Sequence, residues 1–190
     1  LSVALKGFFG RWEMRDRSGA WREIARDRPT QAYDFDYWAR GPRHYLRRTP
    51  GERYVGLGER AGPMDRAGGL YRLNNVDAMG YDAASSDPLY KHIPFYITLG
   101  ADDPARAFGL FYDTLADCTF DFGRERSNYH GLYRSFAAEA GDLDYYVIAG
   151  PSVLDVTRRF TWLTGRPIFT PRWGLGYSGS TMSYTDAPDA

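Results

Sequence analysis

The stretch YVGLGERAGPMDRAGGLYRLNNVDAMGYD, residues 54–82, separates two blocks of aromatic, strand-like sequence that decide the fold. Its glycines at 56, 58, 62, 68, 69 and 80 allow positive φ and tight turns. Tyr54, Leu57, Leu70, Tyr71, Leu73 and Tyr81 can tie those turns to a core. NNVDA (74–78) then sets short polar side chains in a segment without helical period. Loops of this kind often carry binding residues, although Asn and Asp in turns commonly hydrogen-bond their own backbone. Both readings stand on the residues alone. A dinucleotide reading of Gly56-x-Gly58 fails, because position 61 is Ala and a Pro-Met-Asp-Arg-Ala-Gly-Gly run follows where a helix should begin.

Working outward, the flanking sequence reads as strands. Upstream, Leu1, Val3 and Leu5 alternate with smaller or polar residues. Arg11 to Arg17 leads through Ser18-Gly19 into AWREIARDR, a plausible hairpin, with a short helix over Trp21 to Arg28 as the alternative. Tyr33, Phe35 and Tyr37 fall on one face of a strand, with Asp34, Asp36 and Trp38 on the other. Downstream, KHIPFYITL, AFGLFY, CTFDF, YRSFAAE and LDYYVIA are short strands separated by Gly, Asp or Pro turns. That spacing indicates an all-β sandwich or barrel. After Gly150-Pro151-Ser152, Val153, Val156, Phe160 and Leu163 recur at helical spacing, Pro151 sits where a first helical residue would, and Gly165 can close the helix. Trp173 to Tyr177 reads as one more strand. We expect residues 1–150 to form the sandwich, 151–170 a helix and linker, and 171–190 the first strand of a second domain.

Composition narrows the function classes. At 190 residues, with 43% hydrophobic and 25% charged, the chain can bury a sizeable core. Lys and Arg number 24 and Asp and Glu 24, so no basic excess favours nucleic acid. A single cysteine, Cys118, excludes an internal disulfide framework and favours a reducing, cytoplasmic compartment. No apolar run approaches a membrane span. The start LSVALKGFFG lacks Met and a signal-peptide layout, so the natural beginning is expected to lie upstream.

The chemical inventory is thin. Asp34 and Asp36 could form a carboxylate pair, but nothing around them raises one pKa, and the solvated face of a strand is the better reading. His44, His92 and His130 are scattered without metal-ligand spacing, so neither metal nor cofactor is expected. Cys118 alternates with apolar strand residues and reads as a buried structural thiol. No G-x-S-x-G, Walker loop or H-E-x-x-H occurs.

The ordered set YVGLGER, LYRLNNVDAMGYD, DPLYKHIPFYI, FGLFYD, FDFG, LDYYVIAGP, the helix ending in LTGRP, and PRWGLGY resembles family 31 glycoside hydrolases, the α-glucosidases and α-xylosidases. The resemblance runs from about Tyr54 to the end. It implies a galactose-mutarotase-like N-terminal β-sandwich with one C-terminal helix, followed at PRWGLGY by the start of a (β/α)8 barrel. It also implies a retaining mechanism whose two carboxyl groups stand roughly 5 Å apart. In the family both come from later barrel strands, so catalytic residues are expected beyond position 190 and the chain alone is expected to be inactive. The partners implied are a terminal α-linked sugar and the missing barrel, without nucleic acid or membrane.

The resemblance also implies two substrate contacts. Asp77, in Asn75-Val76-Asp77-Ala78, matches an aspartate that contacts a sugar hydroxyl. Tyr184, at the end of the first barrel strand, matches a tyrosine lining the sugar site. Ser178 and Thr181 stand where relatives often carry His and Arg, and Met182 where an aromatic is common, which leaves the sugar open between glucose and its relatives. A free-standing carbohydrate-binding module or a mutarotase-like enzyme are the alternatives. With the barrel face uncovered, dimerisation or aggregation is expected.

Overall fold

The structure is a computed structural model that describes residues 1–6, 9–16, 18–35, 41–76, 80, 82, 86, 91–101 and 106–176. In chain order it holds β1 (Ser2–Lys6), β2 (Phe9–Arg15), β3 (Trp21–Arg26), β4 (Tyr33–Asp34), β5 (Arg43–Arg47), β6 (Arg53–Gly56), β7 (Leu70–Leu73), β8 (Phe95–Leu99), β9 (Ala107–Tyr112), β10 (Cys118–Asp121), β11 (Tyr133–Ala138), β12 (Tyr145–Gly150) and α1 (Val153–Thr164). The strands form antiparallel sheets in the orders β1-β2-β3, β4-β5-β11-β10-β7 and β12-β9-β8-β6.

The two larger sheets face one another across an aromatic core. Tyr112 of β9 stacks on Phe136 of β11 at 3.9 Å, and Tyr96 of β8 meets Phe120 of β10 edge-on at 5.7 Å. Such pairs contribute about 0.5–1.5 kcal/mol each beyond the area they bury. The first sheet joins this sandwich through a bridge between Asp27 and Leu46. It also resolves the ambiguity over Trp21 to Arg28 in favour of a strand. The hairpin turn is held by Asp16, whose Oδ1 accepts the Ser18 and Ala20 amides at 2.8 and 3.1 Å. Ile24 and Ala25 of β3 enter the core.

The β12-β9-β8-β6 sheet is covered on both faces, which is why β8 reads as a continuous apolar run rather than an alternation. Tyr96 points into the sandwich, while Phe95 and Ile97 point outward against α1. Phe160 of the helix stacks on Phe95 at 3.8 Å, and Val156 is fully buried. Val156 seats closely because Gly109 and Gly150 lack side chains: a Cβ at either would come within 2.8 Å of it. The helix begins two residues later than a first helical residue at Pro151 would place it. Ser152 is the N-cap, accepting the Asp155 amide at 3.2 Å, and Gly165 ends the helix at φ 106.

One expected element differs. Arg172–Leu175 is a turn of 3-10 helix instead of a strand, with Gly174 N–H donating to Pro171 O. A strand needs a ladder partner, and none lies beside this segment among the described residues. Trp173 and Leu175 are 84% and 75% exposed, so no packing favours an extended form.

Candidate functional site

The loop singled out by sequence is built from its glycines upward. After β6 the backbone takes positive φ at Gly56 (132°), Leu57 (65°) and Gly58 (72°) in succession. A Cβ at Gly56 would sit 2.6 Å from Phe95 O, so that position accepts only glycine. Leu57 bears a conformation that costs of order 1–3 kcal/mol for a residue with a side chain. Complete burial and a hydrogen bond from the Leu57 N–H to Phe95 O at 2.8 Å offset it. Asp65 then staples the turn by accepting the Tyr54 and Ala67 amides at 3.1 and 3.0 Å.

β7 carries the chain out of this turn. Arg60 and Arg66 lie over the Tyr71 ring at 5.6 and 5.3 Å, and Arg60 donates to Arg72 O at 2.6 Å. Leu73 is buried opposite Cys118, which anchors the strand just before Asn74-Asn75-Val76. Asn75 is exposed and Asn74 half-buried. Asp77 lies outside the described residues, as do Asp36, Ser178, Thr181, Met182 and Tyr184. Asp34 is half-buried on the short strand β4.

Cys118 is a buried thiol pushed up to about 12 by burial and the nearby Asp117 carboxylate, which makes it a poor nucleophile. His92 Nε2 bonds Thr114 O at 3.1 Å, and His130 Nδ1 bonds Thr30 Oγ1 at 2.8 Å. Among the described residues no cluster of His, Cys, Asp and Glu suits a metal ion.

Two buried polar networks carry no signal in the sequence. In the first, His44 Nε2 donates to Asp27 Oδ1 at 2.8 Å while Nδ1 accepts from the Tyr112 hydroxyl at 2.9 Å. Asp27 Oδ2 accepts the Gly10 amide at 2.6 Å, and Tyr33 and Tyr145 stack on the imidazole, each at 4.8 Å. Both partners of the His–Asp pair have 0% side-chain exposure, so this pair cannot touch a sugar. In the second, Arg134 lies between the sheets, donating to Tyr96 Oη at 3.0 Å, Arg47 O at 2.8 Å and Glu52 Oε2 at 3.3 Å. Nothing local marks either network, since the paired residues are 17 and 82 positions apart.

Burial lowers the His44 pKa below 6.5, although Asp27 works against it. Folded His44 is therefore neutral where the unfolded chain already takes up a proton. Stability is fully present above pH 6.5 and falls as the pH drops below it, by up to about 1.4 kcal/mol per pH unit for this one group. Urea melts at pH 7.0 and 5.5 should show that loss. In His44→Gln, which keeps one donor and one acceptor, the acid-side slope should flatten.

Residues 3–121 match the glycosyl hydrolase 31 N-terminal galactose mutarotase-like domain. The chain belongs to that family. It is 37% identical to alpha-glucosidase 2 of Bacillus thermoamyloliquefaciens over 133 residues, covering 70% of this chain and 16% of that enzyme. An alpha-xylosidase of Emericella nidulans is 32% identical over 126 residues, covering 66% of this chain and 14% of that enzyme. Among solved structures, the family 31 dextranase of Flavobacterium johnsoniae complexed with glucose superposes with TM-score 0.73 at 26% identity, over 93% of this chain and 22% of that one. The chain thus spans less than a fifth of the curated relatives it matches. Among the described residues no helix is long and apolar enough to cross a membrane.

Proposed function

We propose that this chain is the N-terminal sandwich of a retaining α-glycosidase that releases terminal α-linked sugars, glucose first among them. The match of residues 3–121 to the family's N-terminal domain carries this reading. In it, the nucleophile and the acid/base belong to later barrel strands, beyond residue 190, and this chain contributes pocket residues. Asp77 accepts charge-assisted hydrogen bonds from a sugar hydroxyl, as a carboxylate is suited to do. Tyr184 lines the same sugar. The strip Trp162, Ile168, Phe169, Trp173 and Leu175, exposed in this chain, supports a covering partner, and the barrel is the one we assign. The lone, buried Cys118 agrees with a cytoplasmic setting.

Hydrolysis of an aryl α-glucoside by the 190-residue chain at high concentration tests the split site. No turnover above the buffer blank is expected. Turnover would place the catalytic carboxylates inside the sandwich and overturn the proposal.

A further inference from the structure

A cavity of about 230 Å³ opens where the first sheet meets the sandwich. Its floor is Ile24, Ala25 and Glu52, all buried. Its walls are the half-buried Arg26 and Arg106, and Arg47 and Thr49 form an exposed rim. β-Sheet register fixes its place. Arg47 pairs with Tyr133 at one end of β11, whereas Ala138, at the other end, pairs with Cys118 and through it with Leu73. The cavity therefore lies at the opposite end of the sheet from the strand end that leads to Asp77.

The charges around it are unevenly matched. Glu23, also on the wall, accepts from Arg26 at 2.5 Å and from Arg11 at 3.0 Å, so those charges are satisfied locally. Glu52 Oε2 accepts the Tyr54 hydroxyl at 2.8 Å and faces Arg134 at 3.3 Å. Its other oxygen has no protein donor among the described residues, although the side chain is only 6% exposed. The guanidinium groups of Arg47 and Arg106 meet no carboxylate among the described residues, yet both line the cavity. Two guanidinium groups without a carboxylate among the described residues, and one open carboxylate oxygen, therefore line the same space.

We propose that this cavity binds a small polyhydroxylated anion, a sugar acid or a sugar phosphate. Arg47 and Arg106 would take the acidic group, as guanidinium forks match carboxylate and phosphate oxygens. A ligand hydroxyl would donate to the open oxygen of Glu52, a charge-assisted hydrogen bond. Thr49 Oγ1 can donate or accept at the rim. The volume lies below the roughly 300–1,000 Å³ of drug-sized sites, which limits the ligand to about one sugar ring. A neutral sugar leaves the two cations unmatched, and a bare anion leaves Glu52 unmatched. The inference stands apart from the glycosidase reading, because it needs neither Asp77 nor a barrel.

Calorimetric titration of the chain with glucuronate, glucose 6-phosphate, glucose and inorganic phosphate tests it. At least one acidic sugar should bind at about millimolar concentration or tighter, and at least tenfold more tightly than glucose or phosphate. Whichever acidic sugar binds better identifies the headgroup. Arg47→Gln and Arg106→Gln should each weaken that binding about tenfold. Should either variant melt early, loss of binding on raising the salt concentration reads the same charge contacts in the unmodified chain. The proposal is overturned if neither acidic sugar binds, if phosphate alone binds equally well, or if binding is insensitive to both substitutions and to salt.

Discussion

Arg134→Ala should lower the stability of the chain by about 3–5 kcal/mol, the loss seen when one partner of a buried ion pair is removed. Burial disfavours the charge of Arg134, and the Tyr96 and Tyr54 phenol groups and Glu52 counter it. Deleting the guanidinium takes a donor from three acceptors at once, the Tyr96 hydroxyl oxygen, Arg47 O and Glu52 Oε2, and leaves the Glu52 charge with the Tyr54 hydroxyl. For a domain of this size the melting temperature should fall by about 6–20 °C. Arg134→Lys should recover only part of this, since one ammonium lacks the fork that reaches both sheets. Adding Glu52→Gln to Arg134→Ala should restore stability by removing the uncompensated charge. Denaturant melts of the three variants decide the matter. A loss under about 1 kcal/mol, the scale of an exposed pair, would mean that water from the adjoining cavity already solvates Glu52.

Asp77→Ala, made in the protein that carries the barrel, should cut kcat/KM on an aryl α-glucoside about 10- to 100-fold. That corresponds to about 1.5–3 kcal/mol for a hydrogen bond to a charged group. Asp77→Asn, which keeps an acceptor without the charge, should lose less. Neither change should move the melting temperature by more than about 2 °C, because a residue that serves the sugar and not the fold lies outside the mechanisms that give large stability losses. Unchanged kinetics in both variants would return Asp77 to a turn-making role. A parallel fall in melting temperature and activity would point the same way.

What can be read from sequence divides along a physical line. The strands from Phe95 to Gly150 are visible because each is a short aromatic or β-branched run closed by turn residues. The helix shows through its own 3.6-residue period and its Gly165 terminator. Local signals suffice where local forces decide the conformation. Trp21 to Arg26 is ambiguous because WREIAR satisfies either period over so short a span, and only its pairing with β2 selects a strand. Trp173 to Leu175 carries strand-like residues, yet without a ladder partner it curls around Pro171. The His44–Asp27 and Arg134–Glu52 pairs are invisible because tertiary pairing alone brings them together. Asp77 is reached by motif resemblance, since its residue type and surroundings describe an ordinary turn equally well.

β7 is bonded to β10 on one side and to no other strand among the described residues. Leu73 to Val76 therefore leave the sheet at its margin. Among the described residues, the positions between Leu73 and Lys91 lie outside the strand ladders. On the proposed reading, in which this segment contacts the sugar, scaffold and recognition segment are free to diverge at different rates. On that reading a lineage can acquire a new sugar preference by remodelling a single hem of the fold, while the aromatic interior keeps its composition.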